Sequence, residues 1–321
     1  MSQPWRAEAV FTESNTACKG EIAVIADRAR VPASLASILA ETELDMNGHV
    51  WARHHIDTAR SAIRAGGDAF VAALARRMQG HGWAIAALPP TLPEPQLRCA
   101  AAGVLAAFGI PFFSIDGGNG LWLDGLSSPK RHAEAFGGLG AQAPHIDAPN
   151  VTSPPDYTAL LMMRPDPADG GTSVLANLRA AVAELDDAER DLLRQKVFFE
   201  GRADGLHGVG DPLLPFPVLE SLAGTGWIRW AGTMVTDPRN EPYFPVLQRF
   251  AEAIDAAAVR VRLRRGELLV VDQRRAAHGR DALGPQESVE PGHRRLLCQA
   301  KVRIEVTAPV QQALLRLGSV A

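Results

Sequence analysis

The tripeptide His-Ile-Asp occurs twice in this chain, at 55–57 in RHHIDTARSA and at 145–147 in QAPHIDAPNV. A histidine and a carboxylate two residues apart can ligate one metal ion, provided both side chains point the same way. In an extended backbone residues i and i+2 share a face. In a helix they diverge, and only i,i+3 or i,i+4 pairs meet. The surroundings of the two copies differ in this respect. The first leads into DTARSAIRAGGDAFVAALARRM (57–78), whose apolar spacing is helical, and Asp57 or Thr58 is placed to cap that helix, which accounts for the carboxylate without a metal. The second is flanked by Pro144 and Pro149, and each disfavours the helical conformation in the residue ahead of it, Ala143 and Ala148. An extended backbone through His145–Asp147 follows, with both side chains aimed one way.

A third ligand lies downstream. In RRGELLVVDQRRAAHGRDALG a glycine turn leads into the apolar strand ELLVVD, and His278 comes a few residues later. Two histidines and one carboxylate that leave three positions open are the ligand set of non-haem Fe(II) sites. Such a site holds one net positive charge and has room for a bidentate oxo-acid and O₂. The distal carboxylate of that acid needs a partner, and arginine serves best through a two-pronged charge-assisted bond. The next strand, HRRLLCQAKV, supplies Arg294 and Arg295. Strand alternation turns only one of them inward, Leu297 and Gln299 sharing the face of Arg295 and Leu296 and Cys298 that of Arg294. Periodicity leaves the choice open.

The elements that must hold these residues divide the chain. Helices are expected at 31–43, 57–78 and 94–109, with a short strand at 82–89, so residues 1–110 are mostly helical. Residues 112–144 are rich in Gly, Ser and Pro and read as a long loop, the kind that often binds ligands or closes over them. Strands are expected at 157–164, 173–177, 196–200, 226–232, 259–263, 267–272 and 295–306, interrupted by helices near 178–195 and 241–257. Trp227 and Trp230 are three apart in the second-named pair of those runs, so a strand there would turn at most one inward. Helices first and many short strands afterwards fit an α+β fold on a sandwich or barrel, organised as one domain over 1–321 with a glycine-rich site loop at 111–144, a strand-rich core at 145–306 and a C-terminal helix at 307–321.

Composition narrows the function. With 46% hydrophobic residues in 321 the chain can bury a large core. Its net charge of −3 is spread without a basic stripe, which argues against nucleic acid. Cys18, Cys99 and Cys298 are too few and too scattered for a disulfide framework or a cysteine zinc site. No stretch has the length and apolarity of a membrane span, and MSQPWRAEAV lacks the pattern of a signal peptide, so a cytoplasmic protein is expected.

Taken in order, HGWAIAALPP, PHIDAPN, the segment from PPDYTALLMMRPDPADGGTSVLANLRAAV to RQKVFF, GELLVVDQRRAAHGR and HRRLLCQAKV resemble the Fe(II)/2-oxoglutarate-dependent dioxygenases, in particular the clavaminate synthase-like branch related to taurine dioxygenase. The likeness runs over roughly residues 80–305. It implies a double-stranded β-helix (jelly-roll) core with N-terminal and inserted helices. Iron would be held by His145, Asp147 and His278. The distal carboxylate of 2-oxoglutarate would be held by Arg295, with Ser173 of GGTSVL, or its neighbour Thr172, as a second contact. Trp122, Arg164 and Arg280 are candidates for the substrate side. The implied cofactors are Fe(II), 2-oxoglutarate as co-substrate and O₂. The implied reaction is hydroxylation, desaturation or epoxidation of an unactivated C–H bond in a small amino-acid-like or peptide-derived metabolite of natural-product biosynthesis, without nucleic acid or membrane partners. Three departures stand out: LGPQESVEPGH replaces the family's usual approach to the arginine strand, Leu296 replaces a tryptophan, and Asp147 stands where amino-acid hydroxylases of the group mostly carry Glu. The carboxylate itself speaks against a halogenase. The competing expectations are a zinc hydrolase built on the same three ligands and a catalytically inactive binding protein of the same fold.

Overall fold

The computed structural model describes residues 28–41, 53–112, 120–200, 214–220, 226–286 and 288–318. The elements in chain order are β1 (Ala29–Arg30), α1 (Ala33–Glu41), α2 (Arg53–Gly66), α3 (Asp68–His81), β2 (Trp83–Ala87), α4 (Glu94–Ala106), β3 (Gly109–Phe112), β4 (Leu123–Leu126), β5 (Gln142–His145), β6 (Tyr157–Arg164) and β7 (Ser173–Asn177). They continue with α5 (Leu178–Ala183), α6 (Asp187–Leu193), α7 (Phe244–Ala256), β8 (Ala258–Val261), β9 (Glu267–Asp272), β10 (Ala276–Arg280), β11 (Leu296–Ile304) and α8 (Pro309–Arg316).

Two sheets result. The larger has seven strands in the order β1-β2-β9-β6-β11-β3, with β4 also paired to β11; the smaller runs β5-β10-β7-β8. Among the described residues only the β1–β2 pair is parallel. The alternation of side chains along each strand explains why the central strands are apolar throughout: both faces are covered. Along β6, Ala159, Leu161 and Met163 face α1–α4, while Leu160 and Met162 face a core shared with Leu175 and Val261 of the smaller sheet. Along β11, Leu296, Cys298, Ala300 and Val302 take the helix side and Leu297 takes the shared core. The smaller sheet repeats the pattern outward: Ile146, Ala176 and Ala277 join a third core with Trp230, Leu247 and Phe250 under α5–α7. The layers are therefore helices, larger sheet, inner core, smaller sheet, helices.

Several expectations need correction. The span 57–78 is two helices, and α2 begins at Arg53, so Asp57 lies inside it and caps nothing; its carboxylate lies 3.3 Å from the Arg53 guanidinium, and Thr58 Oγ1 donates to the His54 carbonyl. The expected loop at 112–144 contains β4 and β5. The runs 196–200 and 226–232 form isolated bridges, Phe198 with Phe216, Leu219 with Ile228 and Ala231 with His145, rather than ladder strands. Released from strand alternation, Trp227 and Trp230 are both buried. The single helix expected near 178–195 is split into α5 and α6, because Asp186 and Glu189 form a capping box that starts a new helix.

Candidate metal and oxo-acid site

β5 and β10 pair antiparallel, with His145 directly opposite His278. Both imidazoles turn to the inner face, since Ile146 and Ala277, their neighbours in sequence, lie in the outer core. The ring centroids are 4.5 Å apart. Asp147 follows on the same side, and one ligand atom from each of the three residues lies within 4.8 Å of the others. Among the described residues no other group of three metal-ligating side chains converges in this way. His55 and Asp57, held on a helix, do not join one.

The protonation states suit a metal. His145 Nδ1 lies 2.9 Å from the Ala143 carbonyl, which can only accept, so Nδ1 carries the proton and Nε2 is left to ligate. Burial, with His145 and Lys301 adding to it against the opposing pull of Asp147, lowers the His278 pKa to about 3 and keeps its ring neutral. For Asp147 burial works toward the neutral form, but Lys301, His278 and His145 together outweigh it and hold the carboxyl well below its ordinary range. A neutral His278 ring, the free Nε2 of His145 and an ionised carboxylate are donors suited to a divalent cation.

These three residues border a cavity of about 210 Å³. Arg295 and Ser173 border the same cavity, and so does Arg280. Arg295 is 2% exposed, and its Nε has no hydrogen-bond partner among the described residues. Burial and the neighbouring Arg280 lower its pKa to about 9, which leaves it cationic at neutral pH, with Asp166 opposing the shift. An unpaired buried guanidinium facing a cavity is costly unless an anion fills it. The GGTS turn makes room for it: Gly171 has φ 68°, a left-handed conformation that favours glycine, and a Cβ there would lie 3.2 Å from Arg295 Nε and collide with Leu283. Arg294, the alternative that periodicity left open, points away and donates to the Val289 carbonyl.

The remaining expectations divide. Arg280 reaches the cavity, and its guanidinium donates to the carbonyls of Gly138 (2.9 Å) and Gly140 (2.5 Å), pinning the glycine-rich loop whose Phe136 and Gly137 also line the cavity. Thr172 does not border the cavity; its carbonyl accepts from Asp281 N. Trp122 is buried in the core beneath the N-terminal helices and is not a cavity residue. Arg164 binds the Arg294 carbonyl and lies 3.4 Å from Glu94, a structural tie between the end of β6 and the start of α4. Ahead of the arginine strand, Gly284 and Gln286 are fastened by Asp166, which accepts from Gly284 N and Gln286 Nε2, while Gln286 Oε1 accepts from Ser127.

Residue-by-residue reasoning missed Lys301, Thr158, Gln273 and Gln299. Lys301 and Thr158 both bond to Asp147 Oδ2, and Gln273 Oε1 accepts from the Asp147 amide. Gln299 borders the cavity on β11. The signal for two of them was present: the inward alternation Arg295, Leu297, Gln299 continues to Lys301, a lysine embedded in an apolar strand.

Residues 88–200 match the family model described as "Taurine catabolism dioxygenase TauD, TfdA family". The L-asparagine oxygenase of Streptomyces coelicolor (strain ATCC BAA-471 / A3(2) / M145) is 30% identical over 132 residues, which is 41% of this chain and 39% of that protein's length. A crystal structure of asparagine oxygenase in complex with Fe(II), 2S,3S-3-hydroxyasparagine and succinate superposes with a TM-score of 0.68 at 23% identity, covering 85% of this chain and 92% of the other. The non-heme iron oxygenase OrfP in complex with Fe and alpha-ketoglutaric acid gives a TM-score of 0.68 at 16% identity, covering 86% and 94%. At these identities the superpositions establish the shared fold, and the segment 88–200 is similar to the TauD/TfdA family.

Proposed function

We propose that this protein is an Fe(II)- and 2-oxoglutarate-dependent oxygenase that hydroxylates, or otherwise oxidises, an unactivated C–H bond of a small amino-acid-like or peptide-derived substrate. The observation that carries the proposal is the unpaired, buried Arg295 in the same cavity as the His145/Asp147/His278 cluster. A metal with open positions and a cation set apart from it fit the two ends of a dicarboxylic oxo-acid. A zinc hydrolase would make no use of that guanidinium. The two sheets with a shared inner core are the arrangement from which a double-stranded β-helix would be built. The substrate class is supported by the asparagine and arginine derivatives bound in the neighbouring oxygenases, and natural-product biosynthesis is the setting the resemblance implies.

Each residue has a task in this mechanism. His145, Asp147 and His278 would hold the iron, with Ala143 fixing the tautomer of the first histidine. Bound there, iron supplies the O₂ activation that couples oxidative decarboxylation of 2-oxoglutarate to succinate and CO₂ with oxidation of the substrate. Arg295 would bind the distal carboxylate and so set the orientation of the co-substrate, with Ser173 as a second donor. Arg280 would keep the glycine-rich loop over the cavity, and Phe136, Leu160 and Leu297 would limit the access of water.

The test is anaerobic addition of Fe(II) and then 2-oxoglutarate to the metal-free protein, followed through the weak visible charge-transfer band of the chelate. The band is expected in the wild type and in His55→Ala, absent in His145→Ala, and shifted to higher 2-oxoglutarate concentration in Arg295→Ala. Metal binding without any band in the wild type would refute the oxygenase proposal.

A further inference from the structure

Asp147 is held by more than its place in the chain. Lys301, 6% exposed on the inner face of β11, forms an ion pair with its Oδ2, and Thr158 on β6 donates to the same oxygen. Lys301 and Thr158 are cross-strand partners, and their own polar atoms lie 3.4 Å apart. Gln273, fully buried after β9, accepts from the Asp147 amide and donates to the Pro155 carbonyl at 2.9 Å. Two neighbouring strands of the larger sheet, β6 and β11, thus converge on the Asp147 carboxylate, while Gln273, just beyond β9, holds its amide. A buried ammonium needs a strong partner, and here that partner is one of the three residues in the metal-ligating cluster. This has a consequence for charge. The three ligands alone carry −1; with Lys301 the immediate protein environment is neutral.

We propose that Lys301 is a positioning residue whose charge divides the labour of binding: it weakens the hold of the bare site on a divalent cation and strengthens the hold of the metal-loaded site on the dianionic co-substrate. The proposal rests on the oxygenase assignment above. A like charge within a few ångströms repels the metal, while a dianion at the metal is attracted by the same charge, and in the partly screened interior each effect amounts to about tenfold or more in affinity. Thr158, a neutral donor to the same oxygen, orients Asp147 without contributing to this division.

The experiment compares wild type, Lys301→Gln, Lys301→Met and Thr158→Val, each checked for folding by circular dichroism. Mn(II) affinity without co-substrate is read from the loss of the free-ion electron paramagnetic resonance signal. 2-Oxoglutarate affinity is read from anaerobic titration of the Fe(II) charge-transfer band. Lys301→Gln, which keeps a donor but not the charge, is expected to bind Mn(II) about tenfold more tightly than the wild type and to bind 2-oxoglutarate about tenfold more weakly. Thr158→Val is expected to leave 2-oxoglutarate affinity within about twofold of the wild type. Lys301→Met serves the same purpose if the glutamine variant does not fold. If the lysine variants weaken both affinities together, or change neither, or if Thr158→Val lowers 2-oxoglutarate affinity as much as they do, the proposal is overturned and Lys301 is only structural. Absence of the band in the wild type would instead refute the oxygenase assignment.

Discussion

A single carboxyl group near the site has a measurable pH signature. Asp272 ends β9 one residue before Gln273, and burial raises its pKa to about 6, against the opposing effects of the Arg274 amide, Arg275, Arg274 and Arg179. A carboxyl with a folded-state pKa above its unfolded value favours the native state while protonated. That contribution is complete below the unfolded value of about 3.9 and is lost as pH rises toward 6. Asp272→Asn keeps an acceptor for the Arg274 N–H bond and cannot ionise. Relative to wild type it is therefore expected to gain about 1–2 kcal/mol between pH 4 and pH 7, measured by urea unfolding at the two values; parallel pH profiles would contradict this. At the same scale, Arg280→Gln removes a guanidinium that holds two loop carbonyls. It is expected to raise the concentration of 2-oxoglutarate needed for half-maximal band intensity by about tenfold, through a looser loop and the loss of one buried positive charge. An unchanged titration would show that the loop does not shape the oxo-acid site.

The secondary elements position the site through their edges and ends. β3 opens with Gly109, where a Cβ would collide with the carbonyl of Arg303 on β11, and the Gly109 carbonyl accepts from the buried Arg60 of α2. Gly109→Ala is expected to cost about 2–3 kcal/mol in chemical denaturation while leaving the affinity for metal nearly unchanged, because no residue of β3 borders the cavity. The elements also show what the sequence made legible. β2, β6, β7, β9 and β11 were readable because each is a compact apolar run between turn residues, and the His145/Asp147/His278 cluster was readable because Pro144 keeps the chain entering His145 extended, whereas Ala148, ahead of Pro149, takes a left-handed φ of 53°. The start of α2 was not, since RHH ahead of the first HID carries no apolar periodicity and the helix is anchored instead by distant partners, Arg60 to the end of α4 and Arg53 to Glu305. The choice between Arg294 and Arg295 was beyond periodicity alone, because alternation fixes two faces without saying which is inward; the core around Leu296 and the cavity around Leu297 decide it. Trp122 and Arg164, which do not border the cavity, show the converse: residue types that suit a binding site also suit packing and structural ion pairs.

For the whole molecule, the cavity lies between two sheets that are each backed by their own helical layer, so a ligand that bridges the sheets should stabilise everything at once. Mn(II) at about a hundred times its dissociation constant is expected to add about 2.7 kcal/mol, seen as a rise of several degrees in Tm, and His145→Ala is expected to abolish the rise. A rise that persists in His145→Ala would place the bound metal elsewhere. The pairing of His145 opposite His278 has one more consequence. Because side chains alternate along a strand, a slip of one residue between β5 and β10 would turn one imidazole into the outer core beside Trp230 and leave the other alone. A chain folded with that slip could keep much of its helix and sheet content and would lack the paired donors. Uptake of a divalent cation would thus serve as a proofreading signal for the molecule: during recombinant production, the fraction of purified chains that takes up Mn(II) would count those whose β5 and β10 paired in register.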